Sequence, residues 1–219
     1  MSTVLDAAQL RHISRHFSGR WLQGYVRSKL NNDPVYAAVA GQIIESPLPV
    51  LDIGCGIGLF AHYLHAIGRG AGYLGIDLDA HKIQIAQRAA QNYHEIRFEQ
   101  TSCEILPVWQ GHVVILDTLH YLTPVTQQQL LCAAAARVAP GASLVIRSVL
   151  RDTSWRFAIT RLEEFLMHGI RWMRCRVQHY PDSKELRAPL VEAGLTIEIK
   201  PLWGRTPFNS YLIVARRAA

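Results

Sequence analysis

The chain has 219 residues and a mass of 24.6 kDa, enough for one compact domain and too little for two full ones. Apolar residues make up 49% of it and charged residues 18%, which excludes a disordered chain and an acidic-tail protein. Lys and Arg number 23 against 17 acids, a formal charge of +6, so an anionic partner stays open until that charge is located.

Residues 1–46 read as a helical cap. Phe17, Trp21, Leu22, Tyr25, Val26 and Leu30 recur at three- and four-residue steps, as on one helix face. Asn31 to Pro34 form a break, and Pro34 opens a second helix over Val35 to Ile44. Ser46 to Pro49 is a linker, after which short apolar runs alternate with helical patterns. The runs are Val50 to Ile53, Tyr73 to Ile76, Glu95 to Gln100, Val113 to Leu116 and Ser143 to Arg147. Phe60, Tyr63, Leu64 and Ile67 step as one helix face, and Pro124 opens a helix running to Val138. This alternation predicts a Rossmann-like, doubly wound parallel sheet with helices on both faces.

From Arg151 to Tyr180 the alternation stops, and an Arg-, Trp- and Phe-rich lid insert intervenes. A helix over Asp182 to Ala193 follows, opened by a capping box and closed at Gly194. Leu195 to Ile199 and Ser210 to Val214 then predict an antiparallel hairpin that completes a seven-stranded sheet. The whole chain, 1–219, is expected to be one domain. Cys55, Cys103, Cys132 and Cys175 lie far apart with no CxxC pair, which speaks against zinc and a disulfide framework and for a reducing cytoplasm. No targeting pattern or membrane-length apolar run is present.

The most informative stretch is Val50-Leu-Asp-Ile-Gly54-Cys55-Gly56-Ile-Gly58, with three glycines at alternate positions between a strand and a helix. Such spacing suits a ligand lying against bare backbone at the carboxyl edge of the first strand, and it also suits tight strand-to-helix packing. Asp77 ends the second strand 23 positions after Gly54, near the spacing at which a carboxylate takes ribose hydroxyls, with Leu78 beside it. Asp79 competes for that role and is better read as the cap of the next helix. Dinucleotide loops carry their third glycine one position later, where this chain has Leu59.

With Asp52 just before the loop, the pattern resembles the first motif of class I S-adenosylmethionine-dependent methyltransferases, and the resemblance runs from Val50 to the C-terminus. It implies that Asp52 positions the cationic methionine end of the cofactor. Phe98 to Pro107 is similar to the third-strand motif that meets the adenine. Ser102 stands there at the usual acidic position, and Cys103 supplies the backbone amide. Val113 to Leu122 is similar to the fourth-strand motif, which makes Asp117 a cofactor contact. Arg137 to Ile146 matches the Pro-Gly turn into the fifth strand, a structural feature.

A sulfonium methyl donor needs alignment, water exclusion and, for a protonated nucleophile, a base. His120, just after the fourth strand, is the candidate base, with packing at a loop as the alternative. Arg20, Tyr25, Tyr121, Arg151 and Trp155 are the candidate acceptor contacts. The absence of an Asp-Pro-Pro-Tyr block and of a Pro-Cys pair disfavours methylation of nucleobase amines and of cytosine carbon.

Residues 47–150 carry six basic and seven acidic side chains, so the excess sits in the cap and the chain after 150. With the resemblance, the expectation is methyl transfer from S-adenosylmethionine to a small-molecule acceptor, to oxygen of an aromatic, phenolic or carrier-bound acid, by a monomer or homodimer. An RNA methyltransferase and a noncatalytic binder of the same cofactor are the alternatives.

Overall fold

The computed structural model describes residues 4–160, 177–204 and 209–219. Seven strands form one sheet in the order β3-β2-β1-β4-β5-β7-β6. They are β1 (Val50–Ile53), β2 (Tyr73–Asp77), β3 (Ile96–Gln100), β4 (His112–Leu116), β5 (Ser143–Val149), β6 (Thr196–Pro201) and β7 (Ser210–Arg216). β1 to β5 run parallel, while β7 is antiparallel to both β5 and β6, closing the sheet as the sequence predicts. The order reverses between β1 and β4, so the crevice for a ligand opens at the carboxyl ends of those two strands.

The strands sort their side chains by alternation. Val50, Tyr73, Phe98, Val114 and Val145 face one core, which they share with the helices that precede β1 and follow β1 and β2. Leu51, Ile53, Val113, Ile115, Leu144 and Ile146 face the other. That second core is covered by α6 (Pro124–Ala135) and α7 (Ser183–Glu192). β5 is buried along its whole length, whereas β6 at the edge is half-exposed or exposed throughout.

Local signals set the helix starts. Asp79 caps α5 (Ala80–Ala89) by accepting from the His81 and Lys82 amides, the role the sequence assigns to it. Thr123 caps α6 with Pro124 at its first position, and Asp182 with Glu185 forms the capping box of α7. The cap holds one more helix than expected. α1 (Ala7–Arg15) opens on a capping box between Asp6 and Gln9, and Gly19, at φ +91°, separates it from α2 (Arg20–Asn32). α3 (Val35–Ile43) follows Pro34. In the insert, residues 155–160 are helical; Arg161, Arg171, Arg174 and Arg176 lie outside the described residues, as does Pro207 in the hairpin loop.

α1 docks on α4 (Leu59–Ala66) through a cluster of rings. His62 of α4 is 1% exposed; its ring stacks on His16 at 5.4 Å and meets Phe17 and Tyr93 edge-on. Neither of its ring nitrogens has a hydrogen-bond partner among the described residues. Burial, then His16, His65 and His12, push its pKa from 6.5 down to about 3. The unfolded chain thus binds a proton that the folded chain refuses, and stability falls as pH drops below 6.5 toward 3. Urea unfolding at pH 6.5 and pH 5 is expected to show a loss of about 2 kcal/mol from this site, which His62→Phe abolishes. Equal pH slopes for the two proteins would contradict it.

Candidate functional site

The glycine loop between β1 and α4 is held from below by the end of β2. The Gly54 and Cys55 amides donate to the Ile76 carbonyl at 2.8 and 3.0 Å, and the Gly56 amide donates to Asp77 Oδ2 at 2.9 Å. Asp77 Oδ1 accepts from the Asp79 amide at 2.9 Å. Asp77 therefore shapes the loop, and each of its oxygens keeps a lone pair for a further donor.

The three glycines divide into two kinds. A Cβ on Gly54 would stand 2.1 Å from Thr118 Oγ1, and one on Gly58 would stand 2.4 Å from Phe98 Cζ. Those two positions are glycine because neighbouring side chains occupy the space. Gly56, at φ +57°, meets nothing within 4 Å and presents bare backbone. Packing thus accounts for a glycine at positions 54 and 58, while at position 56 it is the backbone conformation, over open space, that calls for one.

A cavity of about 130 Å³ lies on the loop, lined by Asp52, Gly54, Gly56, Asp117, Tyr25 and Tyr36 among others. Asp52 points into it from β1, 2% exposed. Its Oδ2 accepts the hydroxyl of Tyr73, and its Oδ1 has no partner among the described residues. Burial raises its pKa to about 7, opposed by the Tyr73 hydrogen bond and reinforced by Asp77. An orphaned, buried carboxylate oxygen facing a cavity is a receptor for a cation, which fits the ammonium of a methionine moiety.

Asp117 closes the opposite wall. Its backbone is left-handed, at φ +55°, which turns β4 out of the sheet at the crevice. Its carboxylate pairs with Arg147 of β5 at 2.5 Å. Arg147 also holds Asp33, at the corner between α2 and α3, at 3.0 Å, and Lys29 pairs with Asp33 at 2.7 Å. Tyr25 of α2 and Val35 and Tyr36 at the start of α3 also line the cavity.

The other candidates are distributed around this center. Leu78 is 68% exposed at the end of β2, an apolar face open to a flat ring. The Ser102 hydroxyl accepts from the Glu104 amide at 3.0 Å, and Cys103 is half-buried against the second core, its thiol pKa raised by burial. His120 lies in the short turn after β4, 4% exposed, its ring against Tyr121 and Tyr180; burial lowers its pKa and keeps it neutral. It sits beneath the end of the insert, whose Gln178 and His179 amides donate to its carbonyl, and it does not line the cavity. Tyr121 is half-buried, and its carbonyl accepts from Gln178.

The structure brings Tyr25 to the cavity and leaves three other acceptor candidates away from it. Arg20 is exposed at the start of α2. Arg151 is engaged with Asp182 at 3.2 Å and Glu185 at 3.5 Å. Trp155 is 61% exposed with the Arg156 guanidinium over its ring at 4.8 Å. Conversely, Tyr36, Tyr73, Asp33 and Arg147 escaped the sequence reading. Arg147 had a visible signal, a lone charge inside the apolar run Ser143–Val149.

Among the described residues no helix is long and apolar enough to cross a membrane, and no cluster of His, Cys, Asp or Glu is arranged to hold a metal. Residues 50–141 match the family model described as a methyltransferase domain. A ubiquinone biosynthesis O-methyltransferase of Bartonella tribocorum is 28% identical over 252 residues, covering 99% of this chain and 98% of the relative. In fold the chain is similar to magnesium protoporphyrin IX methyltransferase from Synechocystis PCC 6803 with bound SAH. That match has a TM-score of 0.67 at 19% identity and covers 96% of this chain and 94% of the other. An O-methyltransferase family protein from Burkholderia thailandensis matches with a TM-score of 0.69 at 16% identity, over 96% of this chain and 64% of its own.

Proposed function

The chain is a class I S-adenosylmethionine-dependent methyltransferase, and from that premise we propose that it methylates an oxygen of a small aromatic, phenolic or carrier-bound acid. The observation that carries this reading is the end-to-end similarity to ubiquinone biosynthesis O-methyltransferases, which spans the cap and insert as well as the sheet. We assign the methionine end of the cofactor to Asp52, the bare backbone of Gly56 and the Asp117 wall. The ribose hydroxyls fall to Asp77, and the adenine to Leu78, Ser102 and the Cys103 amide.

When bound, the cofactor supplies an electrophilic methyl group. The residues of the chain then have three tasks. Tyr25, Tyr36 and Phe60 wall the cavity with rings and exclude water beside the cofactor. The acceptor side is assigned to the turn after β4, Leu119–Tyr121, where the Gln178 and His179 amides meet the His120 carbonyl. His120, held neutral by burial, takes the proton of the attacking hydroxyl at a ring nitrogen. The three described cysteines are free, which supports a cytoplasmic setting.

The test is methyl transfer from labelled cofactor to a panel of simple phenols and catechols, with total RNA as the competing acceptor. Phenol methylation is expected, with no label in RNA; label in RNA alone would replace this reading with an RNA methyltransferase. His120→Gln is expected to lower kcat about 100-fold, a usual contribution for a general base. S-adenosylhomocysteine binding should stay unchanged, and an unaltered kcat would remove His120 from the mechanism.

A further inference from the structure

The charged group made by Lys29, Asp33, Arg147 and Asp117 connects two parts of the molecule that are far apart in sequence. Arg147 Nη1 alone donates to Asp33 Oδ2 at 3.0 Å and to Asp117 Oδ2 at 2.5 Å, so one nitrogen bridges the cap and the wall of the cavity. Its Nη2 donates to Ser210 Oγ on β7 at 3.3 Å, which fixes the plane of the guanidinium. The side chains of Arg147 and Asp33 are each only 10% exposed, so their attraction is weakly screened by water. Two cations and two carboxylates balance, and the Asp33 carboxyl is held below its ordinary range against its own burial by Arg147 and Lys29.

Asp33 is also part of the hinge of the cap. It follows the last residue of α2 as its C-terminal cap, and its Oδ1 accepts from the Val35 amide at 3.0 Å, opening α3. Val35 and Tyr36, which follow this corner at the start of α3, line the cavity together with Tyr25 of α2. On the other side, Arg147 holds Asp117 twice, through the guanidinium and through its carbonyl, which accepts the Asp117 amide at 3.1 Å. A left-handed non-glycine residue persists only where its surroundings over-determine it, and Arg147 supplies both restraints.

We propose that Arg147 is a positioning residue that couples the placement of the cap to cofactor binding, by bridging Asp33 of the cap to Asp117 of the cofactor wall. Through this bridge, a ligand that seats against Asp117 also orders the α2–α3 corner, and the corner in turn completes the cavity. The inference rests on the cavity being the cofactor site and is independent of the acceptor.

The experiment measures S-adenosylhomocysteine affinity by calorimetry and amide exchange of residues 25–36 with and without that ligand. Wild type is expected to bind and to gain exchange protection in this segment. Asp33→Asn cuts the cap side of the bridge and leaves Arg147 paired with Asp117. It removes one partner of a buried charge pair and is expected to lower the thermal midpoint of the free protein; in the folded variant it is expected, beyond that, to weaken binding about tenfold and to lose the ligand-induced protection. Arg147→Lys keeps the charge without the fork, and its effect should not add to that of Asp33→Asn. A merely structural role would lower the midpoint and leave the affinity of the folded protein unchanged. Asp33→Asn binding within twofold of wild type, with protection retained, overturns the proposal. Wild type failing to bind at all would instead overturn the cofactor site itself.

Discussion

Asp52→Asn is expected to make the ligand-free protein more stable and nearly unable to bind its cofactor. Asp52 is fully buried, and its pKa of about 7 stands well above the ordinary value of 3.8. A folded-state pKa above the unfolded one means that the stabilising contribution is complete below pH 3.8 and is lost as pH rises through 7. At pH 8 the wild type therefore carries an unpaired buried charge that Asn lacks, and the variant should gain about 2–4 kcal/mol in urea unfolding. The same charge is what a cationic ligand requires. Truncating one partner of a buried charge pair costs about 2–5 kcal/mol, so S-adenosylhomocysteine affinity should fall by roughly 100-fold or more. Wild-type affinity should itself weaken up to tenfold per pH unit below 7, because binding then requires Asp52 to release its proton. The variant should show no such slope. Calorimetry at pH 6, 7 and 8 decides it, and an Asn variant that binds within threefold of wild type would show that Asp52 does not face the cation.

This opposition between stability and binding explains which parts of the molecule can be read along the chain. β1, the loop and Asp77 are adjacent in sequence or separated by one helix, and their residue types follow from a strand, a tight turn and a carboxylate at the next strand end. The caps Asp79 and Asp182 are legible for the same reason, since each bonds within three residues of itself. The features that escape are side chains brought together by the sheet. Tyr73 reaches Asp52 from the neighbouring strand, 21 positions away, and Arg147 reaches Asp33 across 114. No local pattern encodes those distances, although a lone arginine in a buried strand and an acid between two helices are each unusual enough to mark. α1 escaped because its apolar positions are few, while its Asp6–Gln9 capping box was present in the sequence. Among the candidate acceptor contacts, Arg151 pairs with Asp182 and Glu185 on α7, more than thirty positions away, which no local pattern encodes either.

The glycine loop gives the sharpest separation of packing from binding, because two of its glycines predict opposite phenotypes. Gly58→Ala places a Cβ 2.4 Å from the buried ring of Phe98 at a backbone φ of +79°. Overpacking of a core costs about 1–3 kcal/mol and left-handed backbone about 1–2 more, so the variant should lose about 2–5 kcal/mol of stability. Phe98 has little freedom to yield, since its ring also fills the space above Gly75, where a Cβ would meet it at 2.6 Å. Gly56→Ala carries the strain of φ +57° and no clash, so it should cost about 1–2 kcal/mol and fold normally. Its new methyl group, however, stands in the open space over the loop, on the backbone assigned above to the methionine end of the cofactor. S-adenosylhomocysteine binding should fall at least tenfold in a protein that is close to wild type in unfolding. Thermal unfolding and calorimetry on the two variants distinguish the roles. If Gly56→Ala bound as wild type does, the loop would be a packing device at all three positions, and the cofactor would have to approach from the Asp117 side alone.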